Sequence, residues 1–246
     1  MKERKFDISS AGLHILAMGL MLCDHLWATV IPGNDWLTCI GRLAYPIFAF
    51  TLVEGYFHTG NLKRYALRLL LFAVISEIPF NLMYSSSPIY PFHQNVIWTL
   101  LIGLWMIHLN ERAIEGGKPL FIALTRAGTV LLGGILGIVT FSDYNAAGVL
   151  MILVFYFFRG KQWWCYLGQL AGMYYINFEL LKGLVFPVTL LGNTVEIPQQ
   201  GLAILSLVLI WLYRGRKGYA SRWFRQFCYW FYPVHMLVLW LIRYLA

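Results

Sequence analysis

The stretch SSAGLHILAMGLMLCDHLWATVI, residues 9–31, decides the fold class of this chain. It is long and apolar enough to cross the hydrocarbon core of a bilayer, about 30 Å thick, as one helix. Near its far end it carries Asp24 beside His25, and ionisable side chains are costly at membrane depth. The stretch therefore predicts a transmembrane helix that contributes to a polar site.

Similar apolar runs recur along the chain of 246 residues, of which 59% are hydrophobic and 12% charged. That balance is too apolar for a soluble domain, and it predicts an all-α polytopic transmembrane helix bundle that forms one domain over residues 1–246. Residues 179–199 add a short apolar piece, GLVFPVTLLG, which contains proline and fits a re-entrant or an interfacial segment. We therefore expect nine to ten helices, nine of them at 9–31, 36–57, 62–84, 93–110, 118–140, 144–158, 162–178, 200–213 and 226–245.

The net charge of +8 does not indicate nucleic-acid binding, because the basic residues lie mostly in short loops between apolar runs. The positive-inside rule predicts a cytoplasmic N-terminus, because that topology places all of the 19 Lys and Arg residues at cytoplasmic ends except Arg42, Arg126, Lys182 and Arg243. The predicted partner is the lipid bilayer, with no nucleic acid.

The four cysteines show no metal-ligand spacing, so no metal is predicted. GxxxG spacings at 133/137 and 168/172 predict close helix packing.

The topology places several ionisable and amide side chains at one depth. Asp24 and His25 lie about 20 Å from the cytoplasmic end of the first helix, at a rise of about 1.5 Å per residue. The second and third helices bring Arg42 and Glu77 to a similar level. The layer shared by the first four helices comprises Asp24, His25, Arg42, Glu77, Asn81, His93 and Asn95.

Two interpretations of this layer stay open. It is either an ion-paired structural network, for example Arg42 with Glu77 and Asp24 with a backbone amide, or a wet reaction layer. A histidine beside carboxylates is the usual arrangement for a general base near neutral pH, which favours a functional role for His25.

A second polar layer lies toward the cytoplasm. His14 precedes His25 by three helical turns and lies on nearly the same face, and with Glu54 it would line a route from the cytosol. In the last helix, His235 follows Pro233 at mid-membrane, either as a packing histidine or as a substrate ligand. Arg126 fits either snorkelling or binding of a cofactor phosphate.

Four stretches of the chain form a recognisable set: LMLCDHLWA, IGRLAYPIFAFTLVEGYFHTGNLKRYALRLLLFAVISEIPFNL, HQNVIWTLLIGL and FYPVHMLVLWLI. With these stretches the chain resembles the TraX family, which is named for a conjugal-transfer protein linked to N-terminal acetylation of pilin. They cover the first 110 residues closely and the last helix more loosely. The family is more distantly similar to the acyltransferase-3 group and other transmembrane acetyltransferases, which bind acyl-coenzyme A from the cytoplasm and use a histidine on an early helix.

The resemblance implies a multi-pass protein of the bacterial cytoplasmic membrane that transfers an acetyl group from acetyl-CoA to an amine or hydroxyl acceptor at or across the membrane. By position, His25 is similar to the family-type histidine and is the expected general base. The expected catalytic residues are His25, Asp24, Glu77 and Arg42. Asp24 or Glu77 would orient the imidazole, and the oxyanion would be stabilised by Arg42, Asn81, Asn95 or His93. The expected cofactor-binding residues are His14, Lys63, Arg64, Arg68, Arg214, Arg216 and Lys217. The expected substrate-binding residues are Asn81, His93, Asn95 and His235.

A different functional class is the main alternative. A proton-coupled transporter uses the same types of intramembrane His, Asp, Glu and Arg side chains. It predicts paired broken helices and repeated halves, and the sequence shows neither. The acetyltransferase interpretation is therefore preferred.

Overall fold

The fold is described from a computed structural model, which describes residues 7–190, 193–219 and 221–245. Helices dominate it, as the predicted all-α bundle requires, and four segments are long and apolar enough to cross a membrane: 10–29, 35–58, 62–85 and 119–139. The α-helices are α1 Ser10–Thr29, α2 Asp35–Gly41, α3 Ala44–His58, α4 Leu62–Ser85, α5 Val96–Glu115, α6 Pro119–Val139, α7 Asn145–Phe157, α8 Trp163–Tyr174, α9 Ser206–Trp211 and α10 Arg222–Leu245.

Contacts between helix ends divide the bundle into two faces. At the end where α1 begins, Ile8 pairs with Tyr213, and Glu54 meets Arg159. We call this end the basic face. At the other end, the opposite face, Arg42 meets Gln200. Successive helices alternate between these faces, as expected for short loops in a membrane bundle.

The short helix α7 lies at the centre of the bundle. It packs against α3, α5, α6 and α8, and most of its side chains are buried. With 13 residues it is only about 20 Å long, which is too short for a lipid-exposed crossing. Because neighbouring helices enclose α7, it does not need the length of a lipid-exposed transmembrane helix.

A break divides the helix predicted over 36–57 into α2 and α3 at Arg42 and Leu43. The predicted span is confirmed as one candidate membrane segment, 35–58, but its helical hydrogen bonding is interrupted because Pro46 has no N–H to donate to the carbonyl of Arg42. The proline is tolerated in the first turn of α3, where N–H groups have no helical partner. The break leaves the Arg42 side chain at the junction, beside α1.

The segment predicted as re-entrant or interfacial, 179–199, instead contains a β-hairpin. Strands β1 Val185–Leu190 and β2 Asn193–Pro198 are antiparallel, with Val185 opposite Pro198. Half of the strand residues are β-branched (V, V and T in VFPVTL; T, V and I in NTVEIP), which favours extended backbone. Because lipid cannot satisfy open strand edges, the hairpin belongs at the opposite face, outside the hydrocarbon.

The predicted helices beside the hairpin also change type. The span 162–178 ends as α-helix at Tyr174 and continues as the π-helix Tyr175–Leu181. The span 200–213 begins as the 3₁₀ helix Gln199–Leu205 and then becomes α9. These two irregular turns pack against each other, and they bring Asn177 within 3.1 Å of Gln200.

Glycines allow the close approach of α6 to α7 and of α8 to α7, which confirms the packing role predicted from GxxxG spacing. A Cβ at Gly137 would lie 2.5 Å from the carbonyl oxygen of Asn145, and one at Gly172 would lie 2.7 Å from Val154 Cγ2. In contrast, a Cβ at Gly134 would meet Ala146 at 3.8 Å, an ordinary contact.

We expect Gly137→Ala to lower the stability of the protein in detergent by about 1–3 kcal/mol, because backbone atoms of Asn145 cannot move aside. The matched control is Gly134→Ala in the same helix, which should leave the melting temperature near that of the wild type. Thermal unfolding of both variants measures the difference, and equal melting temperatures would contradict close packing at position 137.

Candidate active site

Two buried histidines face each other between the first and last helices. His25 on α1 and His235 on α10 are each 7% exposed, and their rings are nearly parallel with centroids 4.9 Å apart. Nδ1 of His25 lies 2.7 Å from Nε2 of His235, and Nδ1 of His235 lies 2.7 Å from the carbonyl oxygen of Phe231. The pair thus forms a chain of hydrogen bonds that ends on a backbone acceptor.

That acceptor fixes the protonation pattern of the neutral pair. A carbonyl oxygen only accepts, so Nδ1 of His235 carries the hydrogen. Nε2 of His235 is then the acceptor, and Nδ1–H of His25 donates to it. Nε2 of His25 therefore has the free lone pair, and it makes no hydrogen bond with the residues that the structure describes. This is the nitrogen a general base needs.

Asp24, the residue beside His25, contacts a different helix from the one that His25 contacts. Adjacent helical residues diverge by about 100°, and Asp24 accordingly faces α2, where its carboxylate makes a short ion pair with Arg42. Thr38 donates to the same carboxylate oxygen at 2.6 Å, and Arg42 also reaches Gln200 at 3.4 Å. Gly41 permits this approach, because a Cβ there would lie 2.5 Å from the Asp24 Cβ.

Glu77 makes contacts other than those expected. Its Oε2 accepts a short hydrogen bond from the Asn95 amide and a 3.0 Å bond from Trp98 Nε1, so it joins α4 to α5. Neither Glu77 nor Asp24 has a hydrogen bond or ion pair with His25 among the described residues. The orienting contact expected from a carboxylate is made by His235, and the suggested Arg42–Glu77 pair is replaced by Arg42–Asp24.

A cavity of about 420 Å³ opens at the opposite face beside this site. Tyr84 lies on its wall and also meets the His25 ring edge-on, with centroids 6.2 Å apart. Asn81 is 4% exposed, and its Oδ1 has no hydrogen-bond partner among the described residues. The lining residues are Phe80, Asn81, Tyr84, Ser85, Tyr90 and His93. The cavity therefore brings open space and an unpaired amide oxygen close to His25.

His93 connects the cavity to the neighbouring loop. Its Nε2 lies 3.5 Å from Asp143 Oδ1, and the ring packs against Phe80 and Tyr84. The hydrogen bond to Asp143 raises the pKa of His93, an effect that partial burial opposes. The side chain is 38% exposed, so this pair is only partly shielded from water.

The predicted cofactor residues lie at the basic face, although they are not equivalent. Arg216 is bound to Asp7 by two hydrogen bonds of 2.8 and 3.0 Å, and Arg68 donates to Tyr229 at 3.4 Å. Nδ1 of His14 lies 2.8 Å from the Ser10 carbonyl oxygen, within the first turn of its own helix. The remaining predicted cations are exposed and make no ion pair with described residues: Lys63, Arg64, Arg214 and Lys217.

Glu54, predicted to line a route from the cytosol, is ion-paired in the structure. Glu54 accepts from Arg159 at 2.7 Å and lies 3.8 Å from His58. It serves to join α3 to the end of α7 at the basic face.

Sequence reasoning missed two side chains that the structure brings to the candidate site, Tyr84 and Asp143. Both lie near helix ends, and nothing in their spacing sets them apart from the many aromatic and polar residues of membrane interfaces. Within the part of the chain that the structure describes, the predicted single layer is divided into four neighbouring groups: the His25–His235 pair, the Asp24–Arg42 network, the Glu77–Asn95 contact and the cavity. Among the described residues, no group of three or more His, Cys, Asp or Glu side chains is arranged to hold a metal ion.

Comparison with known proteins gives two matches. A family described as TraX protein matches residues 9–243. A fimbrial assembly protein of Dichelobacter nodosus, FimC of serogroup H1, is 29% identical over 255 residues, which cover 96% of this chain and 96% of the relative. No solved structure matches the chain.

Breaking the Asp24–Arg42 pair should destabilise the bundle, because either substitution leaves a mostly buried charge without its partner. We expect Arg42→Gln or Asp24→Asn to lower the stability in detergent by about 3 kcal/mol, and the double variant to lose less than the sum. The control is Glu115→Gln in the pair with Arg112, whose side chains are 66% and 69% exposed; it should change stability by less than about 0.5 kcal/mol. Additive losses in the double-mutant cycle would show that the two residues act independently.

The His93–Asp143 contact predicts a pH dependence of known sign. Because the pKa of His93 is raised in the folded state, the stabilisation from the His93–Asp143 contact is fully present below the unfolded-state pKa of about 6.5. It is lost as the pH rises through the folded-state pKa of His93. The melting-temperature difference between wild type and His93→Gln should therefore shrink as the pH rises above about 6.5. Asp143→Asn should remove the same dependence, and the effect should stay below about 1 kcal/mol because the pair is partly exposed. A difference that grows with pH would contradict the assignment.

Proposed function

This chain belongs to the TraX family, and from that premise we propose that it is an integral membrane acetyltransferase, which uses cytosolic acetyl-CoA to acetylate an amine or hydroxyl. The observation that supports the proposal best is the His25–His235 pair beside the cavity. It supplies a buried base with a defined free nitrogen and a space for an acceptor. The basic face is proposed to be cytoplasmic, which follows the positive-inside rule.

His25 is proposed as the general base. Its Nε2 takes the proton of the acceptor N–H or O–H as the acceptor atom attacks the acyl carbon, and it returns the proton to the leaving sulfur. Bound acetyl-CoA would supply the activated thioester whose carbon–sulfur bond is broken. An acetyl-histidine intermediate is the alternative route through the same nitrogen.

His235 is proposed to orient and stabilise His25. When His25 gains a proton at Nε2, its Nδ1–H still donates to His235, so the imidazolium keeps a neutral acceptor at 2.7 Å. His235 thereby takes the orienting role expected of Asp24 or Glu77. The substrate-binding role expected of His235 is replaced by this one.

The oxyanion requires a donor that is not already used. Arg42 and Asn95 have partners in Asp24 and Glu77, which argues against them. The hydroxyl of Tyr84 makes no hydrogen bond with described residues, and its ring lies between His25 and the cavity. We assign it the donor role, which is typically worth about 3 kcal/mol of transition-state stabilisation.

The acyl donor carries phosphates, and the exposed cations of the basic face fit that chemistry. Lys63 and Arg64 at the start of α4, with Arg214 and Lys217 in the loop before α10, would hold them. The loop is anchored to α1, because the carbonyl oxygens of residues 216 and 217 accept from the N–H groups of Ser10 and Ala11. The fimbrial-assembly name of the relative makes a fimbrial subunit the first acceptor to assay.

We expect His25→Ala to reduce acetyl transfer by about 10²–10⁴-fold while acetyl-CoA binding persists, because the base is lost and the phosphate-binding cations remain. Acetyl-CoA binding is measured by calorimetry on the detergent-purified protein, and turnover by release of free thiol. His235→Gln, which retains an acceptor for Nδ1–H, should keep more activity than His235→Ala and should shift the pH profile of turnover.

The matched control is His108→Gln, which changes a histidine at the basic face that contacts Tyr56. It should retain turnover. Undiminished transfer by His25→Ala would refute the base assignment. A Kd of about 1 mM corresponds to a binding free energy of about −4 kcal/mol. If the wild type does not bind acetyl-CoA or coenzyme A at about millimolar concentration, acyl transfer is excluded and the proton-coupled transporter is favoured.

A further inference from the structure

A second large groove lies on the lipid-facing side of the bundle, away from the histidine pair. It has a volume of about 800 Å³ and lies where the first half of α6 meets the end of α7 and the start of α8. The lining residues are Arg126, Ala127, Val130, Leu131, Phe157, Phe158 and Trp164. The end of α7 and the start of α8 place it toward the basic face.

Arg126 is the unusual member of this lining. It is the single charged residue of α6, lies two turns into the helix and is exposed. Its side chain makes no hydrogen bond or ion pair with the residues that the structure describes. The nearby basic residue Arg159 is, in contrast, already paired with Glu54. A guanidinium in a lipid-facing position is costly, so an anion that satisfies it is favoured.

The rest of the groove is suited to an acyl chain. Val130, Leu131 and the Phe157–Phe158 pair give it apolar walls, and Leu131 is 68% exposed. Trp164 stands at the start of α8 with 48% of its surface exposed, as is typical of residues at the headgroup level. Its indole N–H makes no hydrogen bond among the described residues and is available to an ester or phosphate oxygen.

We propose that this groove binds one anionic phospholipid, with its phosphate on Arg126 and one acyl chain along the apolar wall of α6. The choice of an anionic phospholipid follows from the positive charge of Arg126 and from the lipid-facing position of the groove. A soluble phosphate compound would have to enter through exposed apolar side chains of α6, which include Leu120, Leu124, Leu131 and Ile135. A membrane lipid already lies against them. The site does not depend on the proposed acetyltransferase activity.

The test is competition between phosphatidylglycerol and phosphatidylcholine for the purified protein, measured by native mass spectrometry. The wild type should retain one phosphatidylglycerol per protein in preference to phosphatidylcholine. Arg126→Gln should lower that preference by about fivefold, the effect of about 1 kcal/mol for one basic residue near anionic lipid. Ala127→Trp, which fills the groove and keeps the arginine, should lower it as well.

Lys118→Gln is the charge-matched control, because Lys118 precedes the same helix and lies outside the groove lining. It should retain the preference for phosphatidylglycerol. An equal loss in Lys118→Gln would show general charge attraction and overturn the site, as would unchanged preference in Arg126→Gln. Displacement of the lipid by coenzyme A would show that the groove holds a soluble phosphate compound instead.

Discussion

The ion pair between Asp24 and Arg42 is the constraint on which the arrangement at the opposite face depends. A charge within a helical span requires a partner inside the protein, and this pair satisfies two charges at once. The ion pair is accommodated by an interruption of the regular helical structure. A helix break places Arg42 at a junction, and Gly41 lets α2 approach α1 closely enough for contact. The network then extends through Gln200 to the π-helical segment.

The ion pair also determines where the neighbouring histidine points. Because Asp24 faces α2, the adjacent His25 is turned toward α10, where His235 accepts its Nδ1–H. The charged pair and the imidazole pair are therefore separate systems on one helix. This separation leaves His25 with a neutral orienting partner, in contrast to the carboxylate of a serine-protease triad.

The bundle separates the two proposed substrates along the membrane normal. The exposed cations suited to coenzyme A phosphates lie at the basic face, whereas the cavity and Tyr84 lie at the opposite face, where the acceptor is proposed to bind. The histidine pair lies between them on α1 and α10. Glu54 and Arg216 look functional in the sequence, but each is bound by an ion pair that joins distant segments of the basic face.

The sequence by itself determined the helical fold and the approximate helix positions, because length, hydropathy and helical rise are local properties. It could not determine which polar groups pair. His25 and His235 are 210 residues apart in the chain, and their contact depends on how α10 packs against α1. The β-hairpin could not be predicted from the sequence, because a short apolar run that contains proline fits several structures. Only the tertiary structure decided that Glu77 binds Asn95, that Asp24 binds Arg42 and that His25 bonds His235, since these contacts depend on helix rotation, which hydropathy does not encode.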